Sequence, residues 1–151
     1  MKDSEARGDL SLWTEGARPG VVVLESRPRL EAWIKRDPML QTVPIRVVRK
    51  ARELLDLPAD WTRAVLVCDF VADPPGLLAS LARFRCEGRD VRAVVVVPES
   101  ELAWEWPLRE LGAAQVLVDY APRLPVLRAV RRQLGPLPDR LEQTLAQFAP
   151  R

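Results

Sequence analysis

Apolar residues in this chain fall into two alternating kinds of segment. Short unbroken runs rich in valine occur at Val21–Leu24, Ala64–Cys68 and Ala93–Val97, the last inside a strand over Val91–Val97, and Ala114–Val118 is interrupted only by Gln115. Continuous β-branched and aliphatic runs of this length predict strands buried on both faces. Between them the apolar positions spread out to helical spacing: Leu30, Trp33 and Ile34, then Leu77, Leu78, Leu81 and Phe84, then Leu124, Leu127, Val130 and Leu134. Each set predicts a helix with one apolar stripe.

In chain order, the strand at Val21–Leu24 leads to a helix opening at Pro28, a residue suited to the first helical position, and ending at Asp37-Pro38. Thr42–Val48 predicts a second strand, which Pro44 assigns to a sheet edge. Ala51–Leu57 reads as a short helix closed by Pro58. The strand Ala64–Cys68 runs through the turn-rich Val71–Gly76 into a helix over Leu77–Arg85 that Gly88 closes. After Val91–Val97, Glu99–Leu111 predicts a helix disturbed by Pro107, with Gly112 as its C-cap. Ala114–Val118 is the fifth strand and Arg123–Leu134 the next helix. Gly135–Pro138 breaks the chain, and Asp139–Phe148 predicts a last helix carrying Leu141, Leu145 and Phe148.

Strands alternating with helices imply right-handed crossovers and a parallel sheet. The expected fold is α/β, a flavodoxin-like three-layer α/β/α sandwich with strand order 2-1-3-4-5. Residues 1–20 are polar and aperiodic and read as a flexible lead-in, from which Leu10, Leu12 and Trp13 are able to dock on the body. Residues 21–134 form the domain, and 135–151 a helical extension.

Composition removes several chemistries. The chain has 151 residues, enough for one domain with a real core. It contains no histidine, which excludes Ser-His-Asp and Cys-His catalysis and removes the commonest metal ligand. Cys68 and Cys86 lie in neither CxxC nor zinc-finger spacing, and Cys68 falls inside a predicted buried strand, where a thiol packs as a small hydrophobe. No strand is followed by GxGxxG or a P-loop, so no nucleotide site is expected. Net charge is +2, too small to argue for nucleic acid. Arg128, Arg131 and Arg132, with Arg123 and Arg140 nearby, read as a solvated helix face without interleaved stacking aromatics. No apolar run is long enough to span a bilayer, and the N-terminal residues lack a signal peptide's apolar core. A cytoplasmic protein is expected.

The chemistry that remains is acidic. Strands end on Glu25, on Asp69 and on Pro98-Glu99, and open α/β sheets place their sites at these carboxyl ends. Glu25 and Asp69 are expected at the switch point between the first and third strands, where two carboxylates bind a divalent cation or act as solvated loop acids.

The segment VVVLESRPRLEAW (Val21–Trp33) resembles the opening of a bacterial response-regulator receiver domain, in which strand one ends on an acidic pair and Pro precedes the first helix. The pair falls here on Glu25 and Ser26, and the Pro on Pro28. ARELLDLPADWTRAVLVCDF resembles the family's second helix and third strand, whose terminal Asp accepts phosphate; that Asp maps onto Asp69. RELGAAQVLVD (Arg109–Asp119) resembles the corner leading into strand five. The resemblance spans about Val21–Leu134, and the motifs agree in order and spacing.

Departures from the family pattern then set the functional expectation. The switch hydroxyl after strand four is replaced by Pro98. The Lys after strand five is replaced by Asp119, followed by Tyr120 where a Pro is expected. Ser26 removes one of the two metal-binding acids, and the Pro after Asp69 comes one residue late, at Pro74. The acidic pocket is thus Glu25, Ser26, Asp69 and Asp119, with Asp69 a phosphoacceptor-equivalent expected to be inactive. The resemblance implies a degenerate, non-catalytic receiver: a phosphorylation-independent protein-interaction or scaffold module of a bacterial signalling system, without cofactor. The alternative is a working phosphoacceptor using Asp69, Glu25 and Mg²⁺. The partner face is expected on the helix Glu99–Leu111 and the helix Arg123–Leu134, around Trp104, Trp106, Tyr120 and Arg128. The partner is a protein or a second copy, with no nucleic acid and no membrane. Trp104 and Trp106 are two residues apart, so one is expected to face the core and the other solvent.

Overall fold

The computed structural model describes residues 19–57, 63–118 and 123–135. Five strands form one parallel sheet: β1 (Pro19–Leu24), β2 (Ile45–Val48), β3 (Arg63–Asp69), β4 (Val91–Val97) and β5 (Ala113–Val118). Their spatial order is β2-β1-β3-β4-β5, as the alternation predicts, with β2 on one edge. The helices are α1 (Leu30–Arg36), α2 (Pro74–Glu87), α3 (Glu105–Glu110) and α4 (Arg123–Leu134).

Alternation along the buried strands divides the core into two layers. Val22, Leu24, Leu66, Cys68, Val95 and Val97 point to one face and pack with Phe70, Leu77, Leu81, Phe84 and Leu108 of the α2 and α3 side. Val21, Val23, Val65, Val67, Val94 and Val96 point to the other, against Leu30, Ile34, Val126, Leu127, Val130 and Leu134 of α1 and α4. Central strands whose middle residues are apolar on both faces have to be covered on both sides, and these two layers cover them.

Several elements differ from their predicted form, each for a local reason. The predicted helix Ala51–Leu57 is a single 3-10 turn, Ala51–Leu55; Pro58, two residues beyond Asp56, leaves no room for an α-helical register to develop. The predicted helix Glu99–Leu111 is split into a 3-10 segment, Glu99–Trp104, interrupted at Glu101, and α3. Pro107 lies in the first turn of α3, where its missing N–H costs nothing. α1 begins at Leu30 rather than Pro28, which sits in the preceding turn. α2 begins at Pro74, three residues earlier than predicted, because Asp73 caps it. β1 begins at Pro19, inside the stretch expected as lead-in. Gly88 ends α2 in the left-handed conformation, φ 63°, as a C-capping glycine does. The remaining lead-in and the predicted helix Asp139–Phe148 lie outside the described residues.

Buried polar groups tie the layers together. Asp37, buried at the C-terminal end of α1, accepts from Arg131 Nη2 of α4 and, through Oδ1, from the Met39 amide (2.9 Å). Arg131 is therefore anchored rather than part of a solvated basic face, whereas Arg128 and Arg132 are exposed. Arg92 of β4 donates to the Gln133 carbonyl at 3.3 Å, placing a cation at the C-terminal end of α4 where the helix dipole favours it.

Candidate functional site

The carboxyl ends of the strands carry the residues the sequence singles out. Register pairs Leu24 of β1 with Cys68 of β3, so Glu25 and Asp69 follow at the same level of the sheet edge. Asp69 is the last residue of β3, opposite Val96 of β4, and is half-buried. Phe70–Ala72 forms one 3-10 turn before Asp73.

Glu25 is buried, and its carboxylate is turned to the start of α1. Oε2 accepts the amides of Leu30 (2.7 Å) and Arg29 (3.2 Å), and Oε1 accepts that of Glu31 (3.0 Å). The first amides of a helix have no partner within it. A carboxylate satisfies them with charge-assisted bonds at the positive end of the helix dipole. The side chain expected to line an acidic pocket beside Asp69 is thus a helix cap reaching across the intervening turn. The sequence signal was present, an acid five residues before the apolar stripe begins, but it lies outside the usual N-cap position and read instead as a strand-end acid.

Arg49, which the sequence did not single out, joins the two neighbouring loops. It follows β2, and its Nη1 donates to the carbonyls of Glu25 (3.2 Å) and Ser26 (2.9 Å). Its own amide donates to Glu53 Oε2 (3.1 Å) at the start of the 3-10 turn. Asp73 does similar work on the next loop: Oδ1 accepts from Gly76 N (3.2 Å) and Oδ2 from Ala51 N (3.0 Å). A Cβ on residue 76 would fall on the Asp73 carboxylate, so glycine is needed there. Asp followed by two prolines and glycine is a legible N-terminal signature.

On the far side of the edge, Pro98 leads out of β4 and its carbonyl accepts from the Glu101 amide at 2.9 Å. No side-chain hydroxyl occupies that position. Asp119 and Tyr120, predicted to complete the pocket and the switch, lie outside the described residues. A Mg²⁺ ion calls for carboxylates with oxygens open to it. Of the three acids the family pattern asks of strands one and three, position 26 is an exposed serine, Glu25 is committed to amides, and Asp69 alone is in place. Among the described residues no three Asp, Glu or Cys side chains come together as a cation cage. This half of the edge does not fit the ion.

Cys68, directly below Asp69, is fully buried. Burial, and secondarily the negative charge of Asp69, push its thiol from 9.0 up to about 12. It is an inert packing residue; Cys86 is exposed.

Neither tryptophan after Pro98 is in the core, contrary to the expectation that one would be. Trp104 is 39% exposed and Trp106 69%. The 3-10 form of Glu99–Trp104 is the reason: the helical spacing argument does not apply to a segment that is not one helix. Trp104 lies against Phe70, with ring centroids 5.9 Å apart and planes tilted by 37°. Arg128 is exposed on α4.

No known protein-family profile matches the chain, and no curated protein matches it. Solved structures do match, 32 chains in all. The signal receiver domain of a protein described as a Luxo repressor, from Vibrio parahaemolyticus, shares 12% identity over 89% of this chain and 99% of its own, with a TM-score of 0.64. The receiver domain of the TMAO respiratory system response regulator TorR shares 18% identity over 78% of this chain and 96% of its own, TM-score 0.59. HP1043, an orphan response regulator of H. pylori, shares 16% identity over 80% and 98%, TM-score 0.59. The chain has the receiver-domain fold, with the five parallel strands in the order the sequence predicts. Among the described residues no helix is long and apolar enough to cross a membrane.

Proposed function

We propose that this chain is a non-catalytic, phosphorylation-independent interaction module built on a receiver scaffold, working through a protein partner or a second copy. The observation that carries the reading is the Glu25 carboxylate, whose two oxygens are held by three backbone amides at the start of α1, those of Arg29, Leu30 and Glu31. A receiver that takes phosphate on Asp69 needs a cation beside it, and freeing Glu25 to hold one would strip the cap from a buried helix end. Pro98 supplies no hydroxyl to follow a phosphoryl group, and by the resemblance to receivers Asp119 takes the sequence position of their Lys, an acid in place of a cation. The absence of histidine leaves no neutral-pH base from the usual source. Nucleic acid and membrane are not part of this reading, and a bacterial cytoplasmic setting is.

The test is incubation with acetyl phosphate, and separately beryllofluoride, in the presence of Mg²⁺. The expected result is an unchanged intact mass and an unchanged amide spectrum. Stoichiometric modification of Asp69 overturns the proposal in favour of a working phosphoacceptor using Asp69 with Mg²⁺.

A further inference from the structure

Six large apolar side chains are exposed among the described residues, and three of them, Leu102, Trp104 and Trp106, fall within residues 102–106. A fourth, Val71, follows Phe70, the residue on which the Trp104 ring rests. The patch therefore sits over the ends of β3 and β4. Exposed apolar side chains gathered in one place mark contact surfaces, whereas scattered ones need no explanation.

Charge gives the patch its character. Residues 99–110 carry Glu99, Glu101, Glu105 and Glu110 against the single Arg109, in a chain whose overall charge is +2. Arg109 is already engaged, its Nη2 donating to Glu105 Oε1 at 3.2 Å, so the one local cation is partnered and the remaining three glutamates are unbalanced. Glu99 and Glu110 are exposed and Glu101 half-buried. The result is an aromatic centre with an acidic surround, the inverse of a nucleic-acid surface.

We infer that the segment Glu99–Glu110, with Val71, is a docking surface for a cationic segment of a second protein that brings apolar side chains of its own. The occupant follows from complementarity: the rim selects positive charge and rejects acidic partners, while the tryptophans offer the burial that dominates such contacts. A second copy is the less suited occupant. Two copies meeting through this patch would set its glutamates against the same glutamates of the other chain, and like charges brought together oppose the contact. This inference rests on the interaction-module reading above and names the partner's chemistry.

The probe is a synthetic Lys–Leu amphipathic peptide, with its Glu–Leu counterpart of equal length as control, titrated into the full-length chain and followed by amide shifts. Shifts should centre on residues 99–111 and on Phe70 and Val71, for the Lys–Leu peptide only. Trp106→Ala should weaken binding about tenfold or more, and Glu99→Lys/Glu110→Lys should do so comparably. Raising salt from about 50 to about 300 mM should weaken it severalfold.

Equal binding of the Glu–Leu peptide, shifts centred on α4, indifference to Trp106→Ala, or no binding at all overturns the inference. So does dilution-dependent change at these same residues without peptide, which assigns the patch to a second copy. Binding that requires beryllofluoride leaves the surface standing and overturns the phosphorylation-independent reading. A chain indifferent to both beryllofluoride and peptide leaves that reading standing and removes this surface.

Discussion

The two halves of the sheet's carboxyl edge are built on opposite terms. After β1 and β2 the polar groups are inward and paired: Glu25 caps α1, and Arg49 holds the carbonyls of Glu25 and Ser26. After β4 the chain turns its large side chains outward: Leu102, Trp104 and Trp106 are exposed, with acids around them. In a receiver the first half is where a cation and a phosphoryl group would sit. Here that half is tied up in hydrogen bonds within the fold, and the second leaves large apolar side chains in solvent. A fold shared with receivers therefore says little about which half acts; the bonds made by Glu25 say more.

The largest expected effect tests whether the floor under this edge is closed. Cys68 lies there with a folded pKa of about 12 against an ordinary 9.0. Below pH 9 both folded and unfolded thiols are protonated, and the group contributes its full stability. Between 9 and 12 the unfolded chain releases a proton that the folded chain keeps, so stability falls as pH rises. The slope is about 1.4 kcal/mol per pH unit, or roughly 4 kcal/mol across the window. Urea unfolding of wild type and Cys68→Ala from pH 8 upward measures it: the wild type should lose stability faster. Parallel curves would mean that the thiol meets water in the native state.

Next in size is the cap. Glu25→Ala leaves three amides at a largely buried helix end without their acceptor, a loss of about 3 kcal/mol. Glu25→Gln keeps an acceptor but not the charge and should lose less than half of that. Equilibrium unfolding separates the two. If Glu25→Ala is neutral, the carboxylate is not holding α1, and the first half of the edge is open to the chemistry that the cap excludes.

Much of this architecture was legible before any coordinates, and the reason is physical. Strands with an unbroken apolar core, such as Ala93–Val97 within Val91–Val97, admit one environment, and the order 2-1-3-4-5 follows from the alternation of elements. Short helices were not legible in this way: Ala51–Leu55 and Glu99–Trp104 are 3-10 segments, whose form depends on prolines and neighbours more than on periodicity. Side-chain direction was the harder problem. Nothing in a strand-end glutamate says whether it faces a pocket or reaches forward to a helix, and Arg131 read as one of a row of solvated arginines until its partner, Asp37, was found 94 residues away. Long-range polar pairs leave no periodic trace.

The smallest expected effect sharpens the comparison most, because it asks whether the second half of the edge has any structural task. Trp104 and Trp106 differ in one respect: Trp104 rests on Phe70, and Trp106, at 69% exposure, is the more solvated. Removing the Trp104 ring forfeits an aromatic contact of about 1 kcal/mol. Removing the Trp106 ring takes away little that the fold buries, and Trp106→Ala should change stability by less than about 0.5 kcal/mol. A tryptophan is a costly residue to leave in water if it does nothing for the fold, since its apolar surface is large and aggregation-prone. Urea unfolding of Trp104→Ala and Trp106→Ala gives both numbers. If Trp106→Ala destabilises as much as Trp104→Ala, the ring is a packing element and the second half of the edge is structural like the first. If it is neutral, the ring has no packing task in this chain, and the second half of the edge differs from the first in leaving a large apolar side chain available for contact.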